Sequence, residues 1–241
     1  MTPYKTIEIK INQEQLDSVR ALVKEFGKRG INPMVWAINK TMTGSATAKG
    51  TGGLIKDSVD EMAKYINLQK NILKTGPHSP GFKASEKNRV WHVKKVTKED
   101  LNGKLECTSK NLPLIFYSNQ RGNKKAFAKS IYVQVLKARK RKKLKSAFIP
   151  KLRSGHIGLF MRVEESGNTI TPRGKKAYKK GRTGRSKIRE LYGARISDFY
   201  SNTPMLDDII MKKAGERLDT NLKHEIDYFI DKIDKESGGK K

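Results

Sequence analysis

Carboxylates are almost missing from the middle of this chain. Between Cys107 and Arg189 stand 24 of its 52 lysines and arginines and only two acids, Glu164 and Glu165, so +22 of the formal net charge of +28 is concentrated there. A merely solvated surface intersperses acids among its bases. Their scarcity here points to a negative partner: nucleic acid, an anionic membrane or an acidic protein face. Cysteine is equally scarce. Cys107 stands alone, so no internal disulfide forms and nothing calls for an oxidising compartment. With no histidine or second cysteine nearby in sequence, it reads as a small, partly buried strand residue and not as a reactive thiol. Apolar residues make up only 36% against 32% charged, and no apolar run approaches the roughly 20 residues of a membrane span. No signal peptide is recognised, and the expectation is a protein made and used in solution.

The signatures of common chemistries are missing too. Gly76 and Gly81 have P-loop spacing, but Phe82 stands where the phosphate-binding lysine belongs, and the segment follows a helical pattern instead of a strand. The run GTGGLI from Gly50 lacks the third glycine of a dinucleotide fingerprint. His78, His92, His156 and His224 are scattered through a loop, two strands and a helix, and give no close metal-ligand pair. His92 and His156 could meet across a sheet, although a polar strand histidine is the plainer reading. Glu225 follows His224, but no second histidine stands four positions away, so the zinc-protease helix is absent. A Mg²⁺ nuclease needs clustered carboxylates, and Glu164, Glu165 and Glu190 do not supply them, since neighbours on a strand point to opposite faces. No catalytic residue, metal or cofactor is therefore expected.

Periodicity supplies the elements. Ile7, Ile9 and Ile11 alternate as a strand, and Asn12 caps a helix with the stripe Leu16, Val19, Val23 and Phe26, Gln15 in the capping-box position and Gly27 at its end. A second helix opens at Asn32-Pro33 and runs through Val35, Ile38 and Met42, fading toward glycines 50, 52 and 53. A third carries Ile55, Val59, Met62, Ile66 and Leu73 as far as Gly76. After a loop over 76–89, strands are expected within 90–96, 104–109, 112–118, 130–136, 146–150 and 156–163. Thr203 caps a last helix with Pro204 at its first position, and nine aliphatic or aromatic residues from Leu206 to Ile233 hold helical spacing. The order predicts an α+β fold, an antiparallel β-sheet core with N-terminal helices and one long C-terminal helix packed on it. Residues 1–31 read as a strand-helix extension, 32–236 as one domain and 237–241 as a disordered tail.

The bases fall on two segments. KARKRKKLK (137–145) is basic at seven of nine positions and reads as a projecting hairpin tip; 166–187, rich in Gly, Lys and Arg, reads as a mobile loop ordered against a partner. The candidate contact residues are Lys137, Arg139, Lys140, Arg141, Lys142, Lys143 and Lys145 in the first, and Arg173, Lys175, Lys176, Lys179, Lys180, Arg182, Arg185 and Lys187 in the second. Sequence-independent contact with duplex DNA and docking onto an acidic protein ring are both open on this pattern. Aromatics flanking the runs, such as Tyr178, are too sparse for a single-strand stacking platform.

The order of pieces resembles the phage minor tail protein Z family over roughly residues 33 to 230. The likeness lies in an early helix with Ala37, Asn39, Lys40 and Thr41, a helix leading into strands, a strand with Ala147, Phe148 and Ile149, a strand with Phe160 and Arg162, and a closing run with Arg185, Ile188, Tyr192 and Gly193. The family's Pro-Ser pair after that glycine is replaced by Ala194-Arg195, which bears on the local turn. The resemblance implies a non-catalytic virion component of the tail or neck, acting in tail completion or head-to-tail joining. It also implies a homo-oligomeric ring around the DNA channel, touching tail tube, terminator or connector proteins and packaged double-stranded DNA, with no membrane partner and assembly in the host cytoplasm. A nucleic-acid-binding protein outside any virion is the alternative, and a divalent-metal nuclease has least support.

Overall fold

Antiparallel pairing accounts for every strand of the computed structural model, which describes residues 5–8, 13–45, 52–76, 90–108, 111–119, 131–150, 152–163, 187–203 and 205–238. The elements begin β1 (Lys5–Glu8), α1 (Gln13–Phe26), α2 (Asn32–Thr43), α3 (Gly53–Tyr65) and α4 (Lys70–Thr75). Short strands follow: β2 (Trp91–Lys94), β3 (Lys104–Cys107), β4 (Asn111–Pro113), β5 (Ile131–Val133), β6 (Lys142–Leu144), β7 (Ala147–Phe148) and β8 (Phe160–Val163). The chain closes with β9 (Lys187–Glu190), β10 (Tyr192–Arg195), α5 (Ile196–Asn202) and α6 (Leu206–Gly238). The α+β class expected from the sequence is therefore observed. Among the described residues the strands form four small sheets, and the chain divides into two compact units.

The first unit comprises Met1–Met62, Val90–Ser109 and Tyr200–Lys241. Its sheet has the order β1-β3-β2, with the fully buried Leu105 at its centre opposite Ile7 on one side and Val93 on the other. Helix α6 is held to α1 and α2 by both apolar and polar contacts. Phe26 meets Phe229 edge-on with ring centroids 5.5 Å apart, and the Gln15 amide donates to Asp219 at 2.5 Å. That bond explains why the buried stripe of α1 is Gln15, Val19 and Leu22, while Val23, expected inside, is 38% exposed. Through this bond and the β1–β3 pairing, α1 and β1 pack within this unit.

The two acids of α3 that meet α6 are almost fully buried and are satisfied from it. Lys213 donates to Glu61 at 2.6 Å, and Arg217 spans both oxygens of Asp57. Each pairing raises the pKa of its base, the hydrogen bond to the carboxylate being the largest cause. Between α2 and α3 the glycines break the helix. Gly44 closes α2 in the left-handed region, and Gly53 opens α3 at φ +55°, where a Cβ would stand 2.3 Å from the Thr41 carbonyl. Helix α6 starts at Leu206, later than Pro204 suggests, with Asp207 and Asp208 in its first turn.

Cys107 ends β3 at 1% exposure, and burial pushes its thiol up to about 12. The folded protein should therefore give less than about a tenth of a thiol equivalent with a water-soluble disulfide reagent at pH 8, and a full equivalent in denaturant. Stoichiometric reaction of the native protein would contradict this burial.

The second unit comprises Ala63–Arg89 and Lys110–Phe199, with β4 paired to β10, β5 to β6, and β7-β8-β9 in a third sheet. Two expected elements differ. The run 112–118 is strand only through Pro113 and then winds into a 3-10 helix over Leu114–Tyr117, in which Ile115, Phe116 and Tyr117 are all buried. The helical pattern from Ile55 to Leu73 is interrupted where Ile66 leaves the helix to bridge Leu136 and the Asn67 N–H donates to the Val135 carbonyl at 3.0 Å. Gly193, the closing glycine of the family resemblance, lies flat against the Tyr117 ring, with room for no Cβ: one would sit 2.5 Å from Cε2. The Tyr117 hydroxyl donates to the neighbouring Ala194 carbonyl at 3.4 Å.

Candidate polyanion interface

The basic segment 137–145 is a braced hairpin in the second unit. Ile131, Tyr132 and Val133 of β5 stand opposite Leu144, Lys143 and Lys142 of β6, so the basic run itself supplies a strand and is not confined to a turn. Across the turn, the Gln134 side chain donates to the carbonyls of Lys137 at 3.0 Å and Arg139 at 2.8 Å, and the Arg139 N–H donates to Leu136 at 3.1 Å. A turn fixed this way presents its side chains at lower entropic cost than a free loop does.

Lys137 differs from its neighbours. Its N–H donates to the Tyr65 carbonyl at 2.9 Å and its ammonium to the Ala63 carbonyl at 2.6 Å, both in the last turn of α3, where the helix dipole favours a cation. It ties the hairpin to α3. Arg139, Lys140, Arg141, Lys142, Lys143 and Lys145 are exposed, and among the described residues none of them pairs with a carboxylate. The Lys143 ammonium lies 5.9 Å from the centre of the Tyr132 ring. Lys187 is exposed at the first position of β9, opposite Val163. Arg173, Lys175, Lys176, Lys179, Lys180, Arg182 and Arg185 lie outside the described residues, as do Glu164 and Glu165.

Beside the hairpin is a polar cleft of about 300 Å³, which the sequence reading missed. Arg141, Tyr117 and Tyr132 line it together with Asn67, Ser118, Asn119 and Gln134. Its walls are locked by backbone pairing. The Asn119 N–H donates to the Tyr132 carbonyl at 3.0 Å while the Tyr132 N–H donates to Asn119 Oδ1 at 2.9 Å, and the Asn67 amide donates to the Gln134 carbonyl at 3.0 Å. The available signal was Gln134, a polar residue between Val133 and Val135 and three positions before Lys137.

A second polar cluster lies on the β7-β8-β9 side of this unit. His156 Nε2 is 2.9 Å from Glu190 Oε1, and the Tyr192 hydroxyl donates to Glu190 Oε2 at 3.0 Å. Partial burial and the adjacent carboxylate raise the Tyr192 pKa. Glu190 is thus committed to two side chains, and among the described residues no three His, Cys, Asp or Glu converge as a metal site would require. His92 falls in the first unit and His156 in the second.

Several residues that carry the family resemblance are packing residues, whereas Ile188 and Tyr192 of the closing run are exposed and Arg185 lies outside the described residues. The Asn39 side chain donates to the Val96 carbonyl at 3.2 Å and accepts the Val96 N–H at 3.1 Å; Lys40 pairs with Glu225 at 2.9 Å; Thr41 accepts from Asn221 at 2.9 Å; and Ala37 is fully buried. In the second unit the Arg162 guanidinium lies 5.5 Å from the Phe148 ring centre, and Ile149 and Phe160 are buried. Comparison with family models, curated proteins and solved structures finds no match for this chain.

Proposed function

We propose that this chain is a non-catalytic structural component of a bacteriophage tail or neck, forming a ring at the head-proximal end of the tail for tail completion or head-tail joining. The observation that carries the reading is the hairpin with six exposed bases and, among the described residues, no carboxylate to neutralise them. Cations left unpaired on a braced turn suit a fixed, negative neighbour, and a ring would sum their field over every copy around a DNA channel. The resemblance to the minor tail protein Z family supplies the setting, and Ala37, Asn39, Thr41, Ile149 and Phe160 of its motifs are taken up in packing, in keeping with a scaffold. The neighbour is packaged double-stranded DNA or an acidic surface on an adjoining tail or connector ring.

The same unpaired hairpin favours one other reading, a sequence-independent nucleic-acid-binding protein outside any virion. Negative-stain microscopy separates the two. The tail reading expects rings of the purified protein and its presence in isolated tails. A monomer that binds duplex and never enters particles would replace that reading with the second.

A further inference from the structure

We propose that the cleft beside the hairpin holds one unstacked nucleotide of a single-stranded nucleic acid, with its phosphate on Arg141 and its base against Tyr132. This rests on the hairpin being a polyanion surface, and names what its inner side recognises.

Among the described residues, Arg141 is the only charged one lining the cleft, and its guanidinium has no ion-pair partner there. A guanidinium facing a polar recess matches an oxyanion through its fork of donors. Phosphate and carboxylate would both serve at that point. The flanking charges favour the phosphodiester chain, because Lys140, Lys142 and Lys143 continue the positive line with no acid interposed. A repeated anion can follow such a line, whereas a single carboxylate cannot.

The remaining lining favours a base. Tyr132 lines the cleft, and the Lys143 ammonium stands 5.9 Å from the centre of its ring. Near the ring are a donor and an acceptor not used within the described structure. Asn119 spends its Oδ1 on the Tyr132 N–H and keeps its amide N–H, and Gln134 spends its Nε2 on the turn carbonyls and keeps its Oε1. A base offers a face to such a ring and complementary groups along its edge. About 300 Å³ lies at the small end of ligand pockets, enough for one nucleotide but not for a duplex. The sequence alone points away from stacking because aromatics flanking the basic runs are sparse; the hairpin register sets Tyr132 opposite Lys143.

The test measures fluorescence anisotropy of the full chain with three labelled probes: a ten-residue oligothymidylate, an abasic strand of the same phosphate number and a ten-base-pair duplex. Oligothymidylate should bind roughly tenfold or more tighter than the abasic strand, in the range that one stacked base supplies. Tyr132→Leu should remove that advantage and leave duplex affinity unchanged, and Arg141→Gln should weaken both single strands. Equal affinity for the thymidylate and abasic strands overturns the nucleotide site, and needs only the wild-type protein. If the duplex still binds with steep salt dependence, the polyanion reading survives that loss. If no probe binds but a polyglutamate peptide does, the surface belongs to an acidic protein and the nucleotide site is overturned.

Discussion

Replacing Arg139, Lys140, Arg141, Lys142 and Lys143 together by glutamine lowers affinity for a polyanion by roughly a hundredfold to a thousandfold near 0.1 M salt and flattens the salt dependence by about four units on a log-log plot. Each base that meets a phosphate releases condensed counterions, and removing five such contacts removes most of that entropy gain. The fold should survive. These side chains are exposed, none is paired with an acid among the described residues, and Gln134 and the β5-β6 register brace the turn without them. Lys137 is deliberately left out of the set, because its ammonium is committed to the Ala63 carbonyl at the end of α3. Lys137→Met should cost stability, about 1 kcal/mol from a lost charge-assisted bond at a helix terminus, and leave the salt slope nearly unchanged. Circular dichroism with a binding titration separates the two behaviours. A five-fold variant that binds like wild type would remove the hairpin from the account.

Deleting residues 1–31 should abolish cooperative folding of the first unit. The lost segment contains Ile7, Val19 and Leu22, all buried, together with the Phe26 ring against Phe229 and the Gln15 bond to Asp219. Three apolar side chains at about 1.5–3 kcal/mol each approach the whole stability of a typical domain, about 5–15 kcal/mol, before the loss of a sheet edge is counted. Leu105 would also lose its neighbour on β1. The measurement is thermal unfolding followed by circular dichroism. A truncated chain that melts cooperatively within a few degrees of the full one would contradict this and leave 1–31 a separate strand-helix extension.

Where the sequence reads correctly, one periodic face decides the structure. Helix α6 is legible because Leu206, Ile210, Leu218, Leu222 and Phe229 are buried on one side over many turns. The class of the fold follows from the order of such elements. The misreadings come from tertiary partners that leave no local trace. Gln15 turns α1 because Asp219, two hundred residues away, accepts from it. Ile66 leaves a good helical pattern because Leu136 offers a strand partner. The 3-10 turn at Leu114–Tyr117 buries three successive side chains, which no alternation rule anticipates.

The candidate site divides in the same way. The hairpin bases are visible as composition, since seven of nine residues in 137–145 are Lys or Arg. That Lys137 caps a helix, and that Tyr132 and Arg141 border one cleft, depends on pairings between residues far apart in the chain.

The central claim is that the hairpin's cations are matched by a negative neighbour in the assembled particle, and a cryo-electron map of intact virions tests it most directly. The account predicts copies of this chain in a ring at the head-proximal end of the tail, with Arg139 to Lys143 against DNA or against acidic side chains of an adjoining ring. A map in which the chain is absent from the particle, or in which those five residues face bulk solvent, would contradict it.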